Sequence, residues 1–464
     1  MNLTLCWFRT DLRVHDNQAL AAAMAEGSAV ALYIATPGQW RRHDDAPIKL
    51  DFWRRNLETL EAALGKRNIP LVCCEARDYA DIPRLIASLI DQWQVTSLHY
   101  NAEYPLNERQ RDAAVSVLCR ERGVRVCSHD DGVLIRPGAI LNKSGEPFRV
   151  FTPFARTARQ IIGNVGEARS LPSRCKSPAT ALATLKQQRS IAELSWPAAG
   201  AHWQQLWPAG ESAARKRLEN FCRNGIQEYK KSRDFPAIEG TSTLSPWLAA
   251  GVISIRECWR QASAWRDGDG VETWKNELLW REFYKHIMFH YPHISKGEPF
   301  RQDLVHVPWR DDEAQLRAWC EGRTGIPIVD AAMRQLLETG WMHNRLRMVT
   351  AMFLAKHLLI DWRKGEQWFM QHLVDGDFSA NNGGWQWSAS TGTDAVPYFR
   401  VFNPVTQSQR FDSHGEFIRR YVPELAGLDA RNIHAPGLLK PSAYPVPIID
   451  LKFGRERAIA AFKG

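Results

Sequence analysis

Four strings in this sequence of 464 residues set side chains that can stack, donate or carry charge at spacings that let them act together. In WKNELLWREFYKH (274–286), Trp274, Glu277, Trp280 and Arg281 follow at intervals of three, three and one, so a helix puts two indoles, a carboxylate and a guanidinium on one face. Taken alone, that face also fits a packed Trp stripe with a surface Glu. In WMHNRLRM (341–348), Asn344, Arg347 and Met348 fall at helical spacing and can face one cavity, with Arg345 turned to solvent or phosphate and His343 as a structural neighbour. GTSTLS (240–245) sets a Gly and four hydroxyl-bearing residues before the apolar run PWLAAG. Donors near a helix start favour phosphate, although an ordinary N-cap reads the same way. DGDFSANNGGWQWSASTGTD (375–394) clusters Asp, Asn and Gly as turns do, which predicts an irregular segment wrapped around something.

These strings all lie in the second half of the chain, and the period of the sequence changes to meet them. From residue 1 to about 130, short β-rich runs (LTLCWF, AVALYIA, PLVCCEA, SLHYNAE, RVCSHDD) alternate with helical segments around 17–26, 49–66, 82–93 and 107–122. That alternation predicts an α/β doubly wound parallel sheet, with ligands beyond the carboxyl ends of its strands. No GxGxxG follows the first strand and no GxxxxGK[ST] occurs, so an ordinary dinucleotide or P-loop site is not expected. Residues 131–205 collect Pro, Gly, Ser and Lys and read as an interdomain linker. From 206 to 464 the period is helical throughout, predicting a large all-α domain.

Composition narrows the partners. Lys and Arg total 60 against 51 Asp and Glu, a formal charge of +9 that fits an anionic partner such as nucleic acid or simply a mildly basic enzyme. Nine Cys form no CxxC pair, so a reducing cytoplasm is expected and no metal ligands are assigned. The start MNLTLCWFR reads as no leader, and no apolar run approaches the ~20 residues of a membrane span. The 19 Trp can pack cores, stack on bases or surround a planar cofactor, and only position tells these apart.

Taken together, the four strings and the opening WFRTDLRVHDNQAL resemble the photolyase and cryptochrome family over nearly the whole chain, and within it the bacterial enzymes that repair cyclobutane pyrimidine dimers. The resemblance implies FAD in the helical domain and UV-damaged DNA as partner. Light-excited reduced FAD passes an electron to a flipped dimer and regains it after the ring splits. It further implies that Thr241, Ser242, Thr243, Leu244 and Ser245 hold the FAD diphosphate with Tyr229 and Arg281, and that Trp274 lines the flavin pocket. Asp375 pairs with Arg347, Asp377 meets the isoalloxazine edge, and Asn381 lies opposite flavin N5, where plant cryptochromes usually have Asp and animal cryptochromes Cys.

By the same resemblance Glu277 hydrogen-bonds the damaged base, and Trp280 and Trp387 stack on the lesion. Asn344 and Met348 stand where enzymes for (6-4) photoproducts typically carry histidines, which argues for cyclobutane dimers. Trp385, Trp362 and Trp309 match the electron-hopping chain, while Arg233, Arg345, Arg400, Gln407 and Arg410 match the phosphate contacts. In residues 107–109 (NER), Asn107 and Glu108 resemble, with Lys296, the set that binds a 5,10-methenyltetrahydrofolate antenna; a deazaflavin antenna is the alternative. The expected protein is a cytoplasmic monomer with no obligate protein partner. Its main rival reading is a cryptochrome photoreceptor, which commonly carries a long extension beyond the point where this chain ends, at AIAAFKG.

Overall fold

The computed structural model describes residues 3–163, 175, 188–198, 200–266 and 268–463. The β-rich runs form β1 (Leu3–Phe8), β2 (Ser28–Ala35), β3 (Leu71–Glu75), β4 (Val95–Asn101) and β5 (Arg125–His129), all parallel, in the order β5-β4-β1-β2-β3. Leu3, Leu5 and Trp7 pack into one apolar layer with helix Ile82–Trp93, while Cys6 and Phe8 face the opposite layer. A strand buried on both faces cannot alternate apolar with polar, which is why β1 reads as a nearly unbroken apolar run. Each fully buried Leu there contributes roughly 1.5–3 kcal/mol.

The helices expected around 17–26, 49–66, 82–93 and 107–122 appear as Gln18–Glu26, Pro47–Gly65, Ile82–Trp93 and Leu106–Glu121. A short helix, Pro37–Arg42, was not legible beforehand. After residue 206 the described chain is helical to Leu451–Lys463 apart from loops and an isolated bridge, and among the described residues no helix is long and apolar enough to cross a membrane.

The expected linker is more structured than its composition predicts. Within it, Phe151–Ile162 is a helix whose buried Phe151, Phe154, Ala155 and Ala158 fall on one face, and Phe154 packs 5.2 Å from Phe283. A further strand, β6 (Gln188–Arg189), pairs antiparallel with β3. Residues 164–174, 176–187 and 199 of this stretch lie outside the described residues.

One apolar cluster runs from Phe8 and Leu20 beside the sheet through Trp247 to Trp274 and Phe283 in the helical part. Buried charges also cross this boundary. Asp131 sits between Arg13 and Arg256, the latter at 2.7 Å, and Arg256 also reaches Asp16 at 3.1 Å. Burial opposes ionisation of Asp131, but the two guanidiniums hold its carboxyl below the usual carboxylate range.

Candidate active site

A cavity of about 460 Å³ opens in the helical part, and the four strings meet in its wall. The 22-residue helix Asp269–His290 presents Trp274, Glu277, Trp280 and Arg281 to it, as the spacing predicts. Trp274 is held by Phe221 at 5.2 Å, and Phe221 in turn meets Tyr229 edge-on at 5.7 Å. Trp280 is half-buried and stacked on Phe151, with centroids 3.7 Å apart and planes 7° from parallel. The helix hidden in the presumed linker thus supports the indole from behind. Arg281 donates to the carbonyls of Gly132 at 3.0 Å and Leu248 at 3.2 Å, which fixes it in the wall.

Thr241, Ser242, Thr243, Leu244 and Ser245 line the same cavity just before the helix Ser245–Ala249. Thr243 adopts φ +46°, a left-handed conformation unusual for a β-branched residue, so this turn is held by its surroundings. Arg217 is part of that hold: it donates to the Ser242 carbonyl at 3.0 Å and to the Thr243 hydroxyl. Sequence reading missed Arg217, whose partners lie 25 and 26 residues away with no motif between.

The second string begins helix Asn344–Met352. His343 caps it, its Nδ1 accepting from the Arg345 backbone at 3.2 Å, and burial pushes the imidazole down to about 4, so it is neutral there. Asn344, Arg347 and Met348 reach the cavity. Arg347 forms the expected pair with Asp375, at 2.8 and 3.0 Å to its two oxygens.

The fourth string corrects an expectation. Residues 378–389 are a regular helix, Phe378–Ala389, in place of an irregular wrap. Asp377 caps it, accepting from the Ala380 N–H at 3.2 Å, and of its two glycines only Gly383 is required by packing. A Cβ on Gly383 would lie 2.2 Å from the Tyr284 ring, whereas one on Gly384 would meet nothing within 4 Å because Gly384 faces the cavity. Asp377, Asn381, Trp385 and Trp387 line the wall. Lys285 lies 3.2 Å from Asp377, and it and Arg281 hold that carboxyl far below the usual carboxylate range despite burial. Asn381 donates its Nδ2 to the Glu366 carbonyl at 3.0 Å, which leaves Oδ1 as its uncommitted polar atom.

Trp385 and Trp362 are buried in one apolar cluster, and the partly exposed Trp309 packs against it. Of the three expected indoles, Trp385 reaches the cavity wall, Trp362 is fully buried and Trp309 is partly exposed. Trp319, which sequence reading did not single out, stands 5.9 Å from Trp385. Gly365 permits the arrangement, since a Cβ there would sit 2.1 Å from the Trp385 ring.

Of the residues expected to meet phosphate, only Arg233 lines the cavity, and Arg233 and Arg345 are already engaged with carboxylates. Arg233 pairs with Glu277, and Arg345 pairs with Asp234 at 2.8 Å in place of facing solvent. Arg345 and Arg410 both lie over the Phe411 ring, at 4.5 and 5.1 Å. Gln407 shares the helix Pro404–Phe411, and its Oε1 is buried without a hydrogen-bond partner. Arg400 is exposed on a loop held from within, where the buried Lys356 donates to the carbonyls of Pro397, Tyr398 and Arg400 and His357 meets that of Phe402. Burial pushes the Lys356 ammonium down to about 7.

A second cavity, about 380 Å³, lies where the sheet meets the helical part, and Asn107 and Glu108 line it. Asn107 meets His43 at 3.0 Å, and Tyr79 donates to Glu108 at 3.2 Å. Glu108 Oε2 is buried with no hydrogen-bond partner, and burial raises this carboxyl. Lys296 does not join them: it is exposed, although its neighbours Ser295 and Gly297 line the wall. Trp40, His43, Trp53 and Tyr79 do line it and were not anticipated. Leu248, Ala249, Arg281 and Asp377 belong to the walls of both cavities.

Residues 4–179 match the family model described as DNA photolyase, and residues 274–464 the one described as FAD binding domain of DNA photolyase. A relative from Escherichia coli (strain K12) named deoxyribodipyrimidine photo-lyase is 45% identical, over 100% of this chain and 99% of its own. The crystal structure of a bacterial class III photolyase from Agrobacterium tumefaciens covers 100% of this chain and 97% of its own, with TM-score 0.90 and 35% identity. A Synechocystis cryptochrome covers 99% of both chains with TM-score 0.90 at 26% identity. With a relative this similar along its full length and an FAD-binding model over its helical half, the chain belongs to the DNA photolyase family.

Proposed function

We propose that this protein repairs cyclobutane pyrimidine dimers in DNA under light, using bound FAD. The observation that carries the reading is the single cavity in which Glu277, Trp280, Asn344, Met348 and Trp387 meet the Thr241 to Ser245 turn, the Arg347–Asp375 pair, Asp377 and Asn381. The donor set fits the cofactor: hydroxyls and Arg281 for a diphosphate, Asn381 Oδ1 as acceptor for a ring N–H, and a bare Gly384 where a side chain would take up room. When bound, FAD supplies a light-driven electron to the lesion. The chain supplies position and electrostatics. Trp385 at the cavity wall, Trp362 in the same apolar cluster and the partly exposed Trp309 packed against it carry an electron between the cavity and the surface.

Trp280 and Trp387 offer π-faces to the two joined bases, and Asn344 and Met348 bound the pocket with an amide and a thioether. Photolyases are among the enzymes that take their target out of the duplex, and a crosslinked, poorly stacked pair costs less to extrude than sound bases. Arg233, Arg345, Arg400, Gln407 and Arg410 grip the phosphates, which gives affinity while the pocket gives lesion choice. We assign residues 1–130 to antenna binding and 206–464 to catalysis, in a cytoplasmic monomer. The antenna is a methenyltetrahydrofolate, held by Asn107 and by the unpartnered Glu108 oxygen, which suits a pterin N–H.

Illuminating the purified protein with an oligonucleotide carrying one thymine dimer is expected to restore the ultraviolet absorbance of the separate bases, and darkness to restore none. Light-induced flavin changes without base recovery would favour the photoreceptor reading and overturn this one.

Glu277 gives the reaction a pH dependence. Burial raises its carboxyl, and the Arg233 guanidinium opposes that rise. Asp234, Tyr229 and Tyr284 are the other titratable groups that act electrostatically with it. A protonated Glu277 donates to the base, so dimer affinity is expected to fall as pH rises through its pKa. Arg233→Gln removes the opposing cation and moves that midpoint to higher pH. Binding curves on dimer DNA across pH read the midpoint separately from the overall loss of affinity, and an unmoved midpoint in the variant contradicts the assignment.

A further inference from the structure

We propose that Glu26, His99 and Cys127 form a binding site for one divalent cation of zinc-like chemistry at the β5 edge of the sheet. His99 on β4 and Cys127 on β5 are direct cross-strand neighbours, so their side chains leave the same face. Glu26 ends the helix Gln18–Glu26, which packs over these strands. One ligand atom from each residue lies within 4.8 Å of the other two. None of the three lines either cavity.

The imidazole is the second observation. His99 is 1% exposed, and its Nε2 points into the site, paired with Glu26 Oε2 at 3.1 Å where a cation would sit between them. Its other nitrogen, Nδ1, is 3.2 Å from His129 Nε2, with the rings stacked 15° from parallel. That is the arrangement in which a partner fixes the tautomer and aims the other nitrogen at a metal. Glu26 takes its bonds from Ser97 and Arg125 on Oε2, both at 2.7 Å, so Oε1 can turn to a cation.

A thiol, an imidazole and a carboxylate, with water as fourth ligand, suit Zn²⁺ and exclude the all-oxygen preference of Mg²⁺ or Ca²⁺. Binding converts the Cys127 thiol to a thiolate and releases one proton, with no change in oxidation state. The Arg125 guanidinium competes for Glu26, and since its side chain is 65% exposed it can swing away. The sequence gives no sign of the site because positions 26, 99 and 127 have no motif spacing; only the pairing of β4 with β5 under the helix unites them.

The test is titration of the chelator-treated, flavin-loaded full chain with Co²⁺ and then Zn²⁺. One equivalent of Co²⁺ should give a thiolate-to-cobalt charge-transfer band in the difference spectrum, displaced by Zn²⁺, with about one proton released. Cys127→Ser should abolish the band with flavin content unchanged, His129→Ala should weaken Zn²⁺ by about 10–100-fold, and Arg125→Ala should tighten it. Absence of saturable binding at one equivalent, or a band that survives in Cys127→Ser, overturns the proposal.

Discussion

Trp280→Ala is expected to weaken binding of dimer-containing DNA by about 5- to 150-fold while leaving FAD bound and undamaged DNA little affected. Stacking on an aromatic side chain is worth ~1–3 kcal/mol per base, and about 1.4 kcal/mol is tenfold in affinity. The indole is suited to that load because Phe151 already covers one face at 3.7 Å, so little ordering remains to be done when a base covers the other. Trp280→Phe keeps a ring against Phe151 and should recover much of the loss. Repair yield at limiting DNA should fall in step with affinity. Equal losses on damaged and undamaged DNA would show that Trp280 serves the fold and not the lesion.

Asp377→Asn is the second large effect, because it removes one charge of a buried pair. Asn caps a helix as well as Asp does, so the start of Phe378–Ala389 survives and the electrostatic loss stands alone. What remains is Lys285, 15% exposed, without the carboxylate 3.2 Å away. Breaking such a pair costs about 3–5 kcal/mol. Thermal unfolding should show a clear drop, and flavin release on mild heating should come earlier. Adding Lys285→Met is expected to restore stability without restoring flavin retention, since the carboxylate at the cavity wall is still missing. The pH course of the wild type follows from the sign of the shift. A carboxylate whose folded pKa is depressed stabilises fully above its unfolded pKa, and that stability is lost progressively as pH falls from there through the depressed value. The Asp377 carboxylate therefore keeps its charge at acidity where ordinary carboxylates are neutral, while its contribution to stability declines over that same range.

What could be read in advance was whatever depends on local order. Strands such as LTLCWF and SLHYNAE announced themselves by composition, and the face carrying Trp274, Glu277, Trp280 and Arg281 by helical period. The misreading of residues 378–389 shows the limit. Gly383 and Gly384 break helices on propensity, yet the Tyr284 ring excludes a Cβ at 383 and 384 borders an open cavity, and neither setting is local. Phe151–Ile162 was masked by its Pro- and Gly-rich flanks although its own apolar residues have helical spacing. Arg217, His43 and Tyr79 carry no motif and reach their sites only through tertiary folding, whereas Lys296 matched by resemblance and remains exposed.

The partition formed by Leu248, Ala249, Arg281 and Asp377 has a bearing on how the molecule can be altered. Two chambers that share these four wall residues cannot be retuned one at a time through that wall. On the proposed assignment of an antenna to one chamber and FAD to the other, a substitution among these four that admits a bulkier pigment would also move the wall beside the flavin, which would tie spectral range to repair. Changes confined to the outer rim, at His43 or Asn107, touch one chamber alone and leave room for new pigments to be accommodated independently.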